Sequence, residues 1–145
     1  MDSTTRTRKK DATSLAKPLV KRLGIQDNMT ILVVNSPSHY LRILGQLPKG
    51  VVVVTDNSNG PYDFVHFFTI VRAELERRFP LLKNKLSPQG ALWISWPKAS
   101  SGVHTDMNEN QVREIGLANG MVDVKVVAVD VTWSGLKFVR RLRER

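Results

Sequence analysis

The feature that most constrains this chain is an alternation of strand-like and helix-like segments with one helix missing from the series. Val51–Thr55 is a nearly unbroken β-branched run, and Asp63–Phe68 is a second apolar run. Only the turn cluster Asp56-Asn57-Ser58-Asn59-Gly60-Pro61 separates them. Elsewhere the runs alternate with helical stripes, which implies a parallel sheet with helices on both faces. A parallel neighbour needs a crossover of about a dozen residues or more. The third strand is therefore expected on the far side of the first, with a topological switch point at the first strand.

The remaining elements follow from periodicity. Leu15, Leu19 and Leu23 mark one helix face, with Pro18 in the first turn and Gly24 as the stop. Thr30–Val34 reads as the first strand, and Tyr40–Leu47 as a short helix ended by Pro48-Lys49-Gly50. Val51–Thr55 is expected to be buried on both faces. Val71, Leu75, Phe79, Leu82 and Leu86 form a long helical stripe, in which Pro80 predicts a kink or a break near Phe79. Ala91–Trp96 reads as a fourth strand, and Asn108–Asn119 as a helix capped by Asn108. Val122–Val131 and Leu136–Leu142 read as a closing hairpin about Thr132-Trp133-Ser134-Gly135. The fold class is α/β: three layers, Rossmann-like, a mostly parallel sheet with an antiparallel C-terminal hairpin strand. Residues 14–145 form one domain behind a disordered basic arm, residues 1–13.

Charge is placed unevenly. The net charge is +9. Residues 1–22 hold seven Lys/Arg against two Asp, and residues 137–145 hold five against one Glu. Residues 23–136 hold ten of each sign. The excess therefore sits at the ends, which reads either as solvated termini or as attraction to nucleic acid. The chain has no cysteine, which excludes disulfides and thiolate chemistry and suits a reducing cytosol. No secretory signal and no apolar run of about 20 residues is visible, so a cytoplasmic protein off the membrane is expected.

Three stretches carry a resemblance. LGIQDNMTILVVN is similar to the approach to the first strand of class I S-adenosylmethionine-dependent methyltransferases. Tyr62-Asp63-Phe64-Val65 resembles their fourth-strand signature. Leu86-Ser87-Pro88-Gln89-Gly90-Ala91-Leu92 resembles their "LKPGG.L" segment, departing at Ser87 and Gln89. The stretches KPLVKRLGI, GPYDFVHFF, RAELER, GALWISWPK and DVTWSGLKFVRR resemble a family of short bacterial proteins of unassigned function with such a core. The resemblance implies a methyltransferase-like fold that lacks one strand of the full form. It implies S-adenosylmethionine as the cofactor to test, and it makes Asp56 similar to the acidic residue that holds the ribose hydroxyls. Asp56 also reads as the opening residue of an Asp-Asn-Ser-Asn turn.

The loop after the first strand, Asn35-Ser36-Pro37-Ser38-His39-Tyr40, has no glycine, where glycines let backbone approach a nucleotide-like ligand. In an open parallel sheet the ligand rim lies beyond the carboxyl ends of the strands. That rule gathers Asn35, Ser36, Ser38, Asp56, Trp96, Lys98, Trp133 and Lys137 as ligand-binding candidates. Ser36 and Ser38 read as caps of the following helix or as holders of a small anion. Trp96 and Trp133 read as core packing or as stacking platforms. His39 is the candidate base, against a reading as a surface histidine without a role. His66 reads as a satisfied core histidine. The three histidines lack metal-ligand spacing, so no metal site is expected.

The sequence thus points to a small methyltransferase-like protein, non-catalytic or degenerate, that binds a small ligand or protein at the rim. The alternatives are an active methyltransferase with a non-standard cofactor loop, or a nucleic-acid accessory protein using basic termini.

Overall fold

The computed structural model describes residues 17–55 and 58–145. The basic arm and Asp56 lie outside the described residues. Helix α1 is Leu19–Arg22, strand β1 Thr30–Val34, helix α2 Tyr40–Leu44, β2 Val52–Val54 and β3 Tyr62–Phe68. Helix α3 is Arg72–Lys83, β4 Leu86–Pro97, α4 Glu109–Ala118, β5 Met121–Ala128 and β6 Trp133–Arg140. The sheet order is β2-β1-β3-β4-β6-β5. β1 to β4 run parallel, and β6 is antiparallel to both β4 and β5. The switch point falls at β1, with β2 on one side and β3 on the other, as the missing helix requires.

The crossover from β2 to β3 is shorter than a dozen residues, and the length of β2 is the reason. Val54 is level with Leu32, and Leu32 is level with Val65. The chain needs to drop only three positions to Tyr62 and to cross two strand spacings, about 10 Å. The segment from 55 to 61 reaches that far when extended at about 3.3 Å per residue. β2 is consequently a three-residue edge strand with Val52 exposed, not a strand buried on both faces. The β-branched run reflects strand preference and not burial, since among the described residues no strand lies beyond it.

Alternate side chains of β1 enter two core layers. Leu32 and Val34 join Phe67, Leu75, Phe79, Val112 and Phe138 under α3 and α4. Ile31 and Val33 join Leu19, Leu23, Tyr40, Leu44, Phe64 and Trp93 under α1 and α2. Trp93 Nε1 donates to the Leu23 carbonyl at 3.0 Å and fixes the end of α1. α2 stops at Leu44, three residues short of Leu47, because Gly45 takes φ +89, a conformation that a Cβ resists. α3 runs through Pro80 without a break. Pro80 and Glu76 are both exposed, so the carbonyl deprived of its partner lies on the solvent side. α4 opens with a capping box: Asn108 accepts from the Gln111 N–H and Gln111 accepts from the Asn108 N–H. The closing hairpin turns at Val129–Thr132, earlier than the expected Thr132–Gly135. Among the described residues, no helix is long and apolar enough to cross a membrane.

Candidate functional site

Four segments meet at the carboxyl end of the parallel strands. They are the loop 35–39 after β1, Thr69-Ile70 after β3, Lys98 after β4, and the β5–β6 turn that ends at Trp133. Trp133 reaches this end because β6 is antiparallel and pairs with Pro97 there.

The loop after β1 makes its turn without glycine. Asn35 takes φ +57, the left-handed conformation that asparagine tolerates better than other non-glycine residues. Neither serine caps α2. The N-cap is His39, whose side chain makes no cap bond. His39 reaches across the sheet instead. Its Nε2 lies 3.0 Å from Asp130 Oδ2, a partner 91 positions away in the turn between β5 and β6. The pair is partly buried, with side-chain exposures of 34% and 18%.

Asp130 is built for this contact. Its Oδ1 accepts the Thr132 and Trp133 backbone N–H groups, both at 2.8 Å. Burial works to raise the carboxyl's pKa. The bonds from His39, Trp133 and Thr132 outweigh it and hold the group below the usual carboxylate range. An ionised carboxylate only accepts, so His39 Nε2 carries the hydrogen and Nδ1 is left for another partner. A carboxylate-oriented imidazole is the geometry of a general base, and equally that of a structural tie.

Directly beneath lies a second polar chain. Tyr40 follows His39, and its hydroxyl is 2.8 Å from His66 Nδ1. His66 Nε2 is 2.7 Å from Ser95 Oγ. The imidazole is fully buried and stacks on Phe68 at 4.2 Å between ring centroids. Burial pushes His66 down to about 3 and raises the Tyr40 phenol, so both are neutral near pH 7. Trp133 meets the edge of Phe68 at 5.1 Å. Tyr40, Phe68 and Trp133 thus fill the rim on the α1 and α2 side.

Further bonds close the other strand ends. Thr69 Oγ1 donates to Glu74 Oε1 at 2.6 Å, and the Lys98 N–H donates to the Thr132 carbonyl at 2.8 Å. A groove of about 390 Å³ remains open between the end of β4 and the start of α4, lined by Trp96, Pro97, His104, Thr105, Met107 and Asn108. Trp96 is 4% exposed and forms its floor. Lys137 is not at the rim. It pairs with Trp93, four positions down β6 from Trp133, because each residue along an antiparallel strand moves away from that end. Among the described residues, no group of three or more His, Asp or Glu could hold a metal ion.

Composition and periodicity missed Asp130 and the Tyr40–His66–Ser95 chain. A signal for Asp130 existed, since aspartate followed by two residues it can bond is an Asx turn.

No protein-family profile matches the sequence, and no curated protein does. Solved structures match the fold. A SAM-dependent methyltransferase from Aquifex aeolicus aligns over 89% of this chain and 96% of its own, at 18% identity and TM-score 0.60. The DhpI–SAH complex aligns over 96% and 93%, at 15% identity and TM-score 0.62. Magnesium protoporphyrin IX methyltransferase (ChlM) from Synechocystis PCC 6803, with bound SAH, aligns over 92% and 84%, at 14% identity and TM-score 0.56. The described residues form a class I methyltransferase-like core, truncated relative to the full fold.

Proposed function

We propose that this chain is a methyltransferase-fold protein that does not transfer methyl groups and binds a small ligand or protein partner at its strand-end rim. The observation that carries the reading is the His39–Asp130 bridge, which ties the rewritten loop after β1 to the β5–β6 turn across the ends of the intervening strands. Three features support it. The loop makes its turn with Asn35 and no glycine. Tyr40, Phe68 and Trp133 occupy the adjacent rim. Among the described residues no strand lies beyond β2, so an adenosine moiety seated there has one wall fewer.

The groove at the end of β4 is the binding ground the reading assigns. Trp96, Pro97 and Met107 supply apolar surface, and His104, Thr105 and Asn108 supply polar atoms at its edge. That mixture suits a small, partly apolar ligand oriented by a few hydrogen bonds.

Isothermal titration of the full chain with S-adenosylmethionine and with S-adenosylhomocysteine tests the reading. The expected result is no saturable binding tighter than about 1 mM for either. Micromolar binding accompanied by methyl transfer to any acceptor overturns it, and makes His39 Nδ1 the base to examine.

A further inference from the structure

The positive charge left over by the rim has its own location. α1 packs beside the β5–β6 hairpin, and a groove of about 270 Å³ runs between them, lined by Lys17, Lys21, Arg22 and Lys125 with Val126, Val127 and Ala128 as its apolar wall. Lys137 extends the cluster. It is the register partner of Lys125, and its Nζ lies near Gly24 at the end of α1. Two of the five cations are committed to backbone: Arg22 donates to the Ala128 carbonyl at 2.8 Å, and Lys125 to the Arg22 carbonyl at 2.7 Å. Those bonds hold the groove's two sides together and leave both charges in place.

No carboxylate among the described residues is ion-paired with the cluster. Among the described residues, Lys17, Lys21, Lys125 and Lys137 form no ion pair. Two acids of the β5–β6 hairpin are engaged elsewhere. Asp123 pairs with Arg113 on the opposite face of the sheet, and Asp130 with His39. Lys137 is half-buried, and burial first, then the Lys125 ammonium, lowers its pKa. Five like charges are thus held together without an ion-paired carboxylate among the described residues, a cost that a bound anion relieves.

We propose that the groove between α1 and the β5–β6 hairpin binds the phosphate backbone of a nucleic acid. Two observations favour a polymer over a single small anion. Lys17 and Lys21 are exposed, so each contact is screened and weak alone, and affinity accrues only over repeated phosphates. The sequence ahead of Lys17 is also basic: Arg6, Arg8, Lys9 and Lys10 stand against Asp2 and Asp11. No aromatic side chain lines the groove, so the contact is to backbone and not to bases. This site is separate from the rim and stands whether or not the rim binds a ligand.

Fluorescence anisotropy of the full chain with a labelled duplex of mixed sequence tests it, between about 50 and 200 mM salt. With the five groove cations engaged, log K falls with log salt at a slope of at least about 4.5, a loss of roughly 500-fold over that range. Lys17→Ala with Lys21→Ala removes two exposed charges and lowers the slope by about 1.8. Lys137→Gln lowers it by about 0.9. Arg77→Ala, exposed on α3 and outside the groove, leaves the slope unchanged. The proposal is overturned by no binding at the lowest salt, or by an unchanged slope in the Lys17/Lys21 variant. It is equally overturned if millimolar inorganic phosphate abolishes binding, which marks a small-anion site, or if vesicles of anionic lipid bind while the duplex does not.

Discussion

His66 makes stability depend on pH in a window that other shifted groups leave clear. The imidazole is fully buried, and burial moves it from an ordinary 6.5 to about 3 in the folded chain. The unfolded chain therefore binds a proton below pH 6.5 that the folded chain refuses until near pH 3. The group's contribution is complete above 6.5 and is lost as pH falls toward 3. At about 1.36 kcal/mol per pH unit, the loss between pH 7 and pH 4.5 is about 2.5 kcal/mol. Asp123 and Asp130 are held below their ordinary 3.8, so their contributions fade only under about pH 4. Urea unfolding at half-unit steps from pH 7 to pH 4.5 measures the effect, and His66→Gln should flatten the curve. Proton NMR of the His66 ring supplies a direct readout: its resonances should not move between pH 7 and pH 5. A ring that titrates near 6.5, or a stability change under about 0.5 kcal/mol over this range, refutes the account of His66 as a desolvated core group.

Two other expectations rest on contacts. A Cβ placed on Gly116 falls within 2.5 Å of three ring carbons of fully buried Phe138. Gly116→Ala should therefore destabilise by about 1–3 kcal/mol despite the better helix former. Adding Phe138→Leu should recover part of that loss, read as a non-additive double-mutant cycle in urea. His39→Ala should cost about 0.5–1.5 kcal/mol, and Asp130→Ala about 1–3 kcal/mol, because the carboxylate also accepts two backbone N–H groups. Equal losses for the two variants in thermal unfolding would contradict that division of labour.

The strand order was legible because it rests on an omission that composition displays: nothing helical separates Thr55 from Tyr62. The capped start of α4 was legible too, since Asn108 bonds three residues on and its signal is local. His66 was legible as a core residue from its apolar strand, although its partners Tyr40 and Ser95 were not. What resisted reading is non-local. Whether Val51–Thr55 is buried depends on a neighbouring strand that the described residues do not supply. Lys137 leaves the rim only once the β6 register is known, since one strand's pattern does not fix its height against another. The His39–Asp130 bridge joins a loop and a turn that share no periodicity.

The brief crossover from β2 to β3 has a kinetic consequence. In an open sheet with a switch point, the first strand must find a partner delivered late along the chain. Here Ile31 pairs with Phe64, only 33 positions away, with no additional strand and helix between them. Halving a closing loop saves about 0.6 kcal/mol of chain entropy. A more local central pairing also lowers the contact order, which raises folding speed. Dropping an outer strand therefore does more than shrink the sheet. It makes the central β1–β3 pairing a shorter loop closure, so less chain entropy stands against forming it.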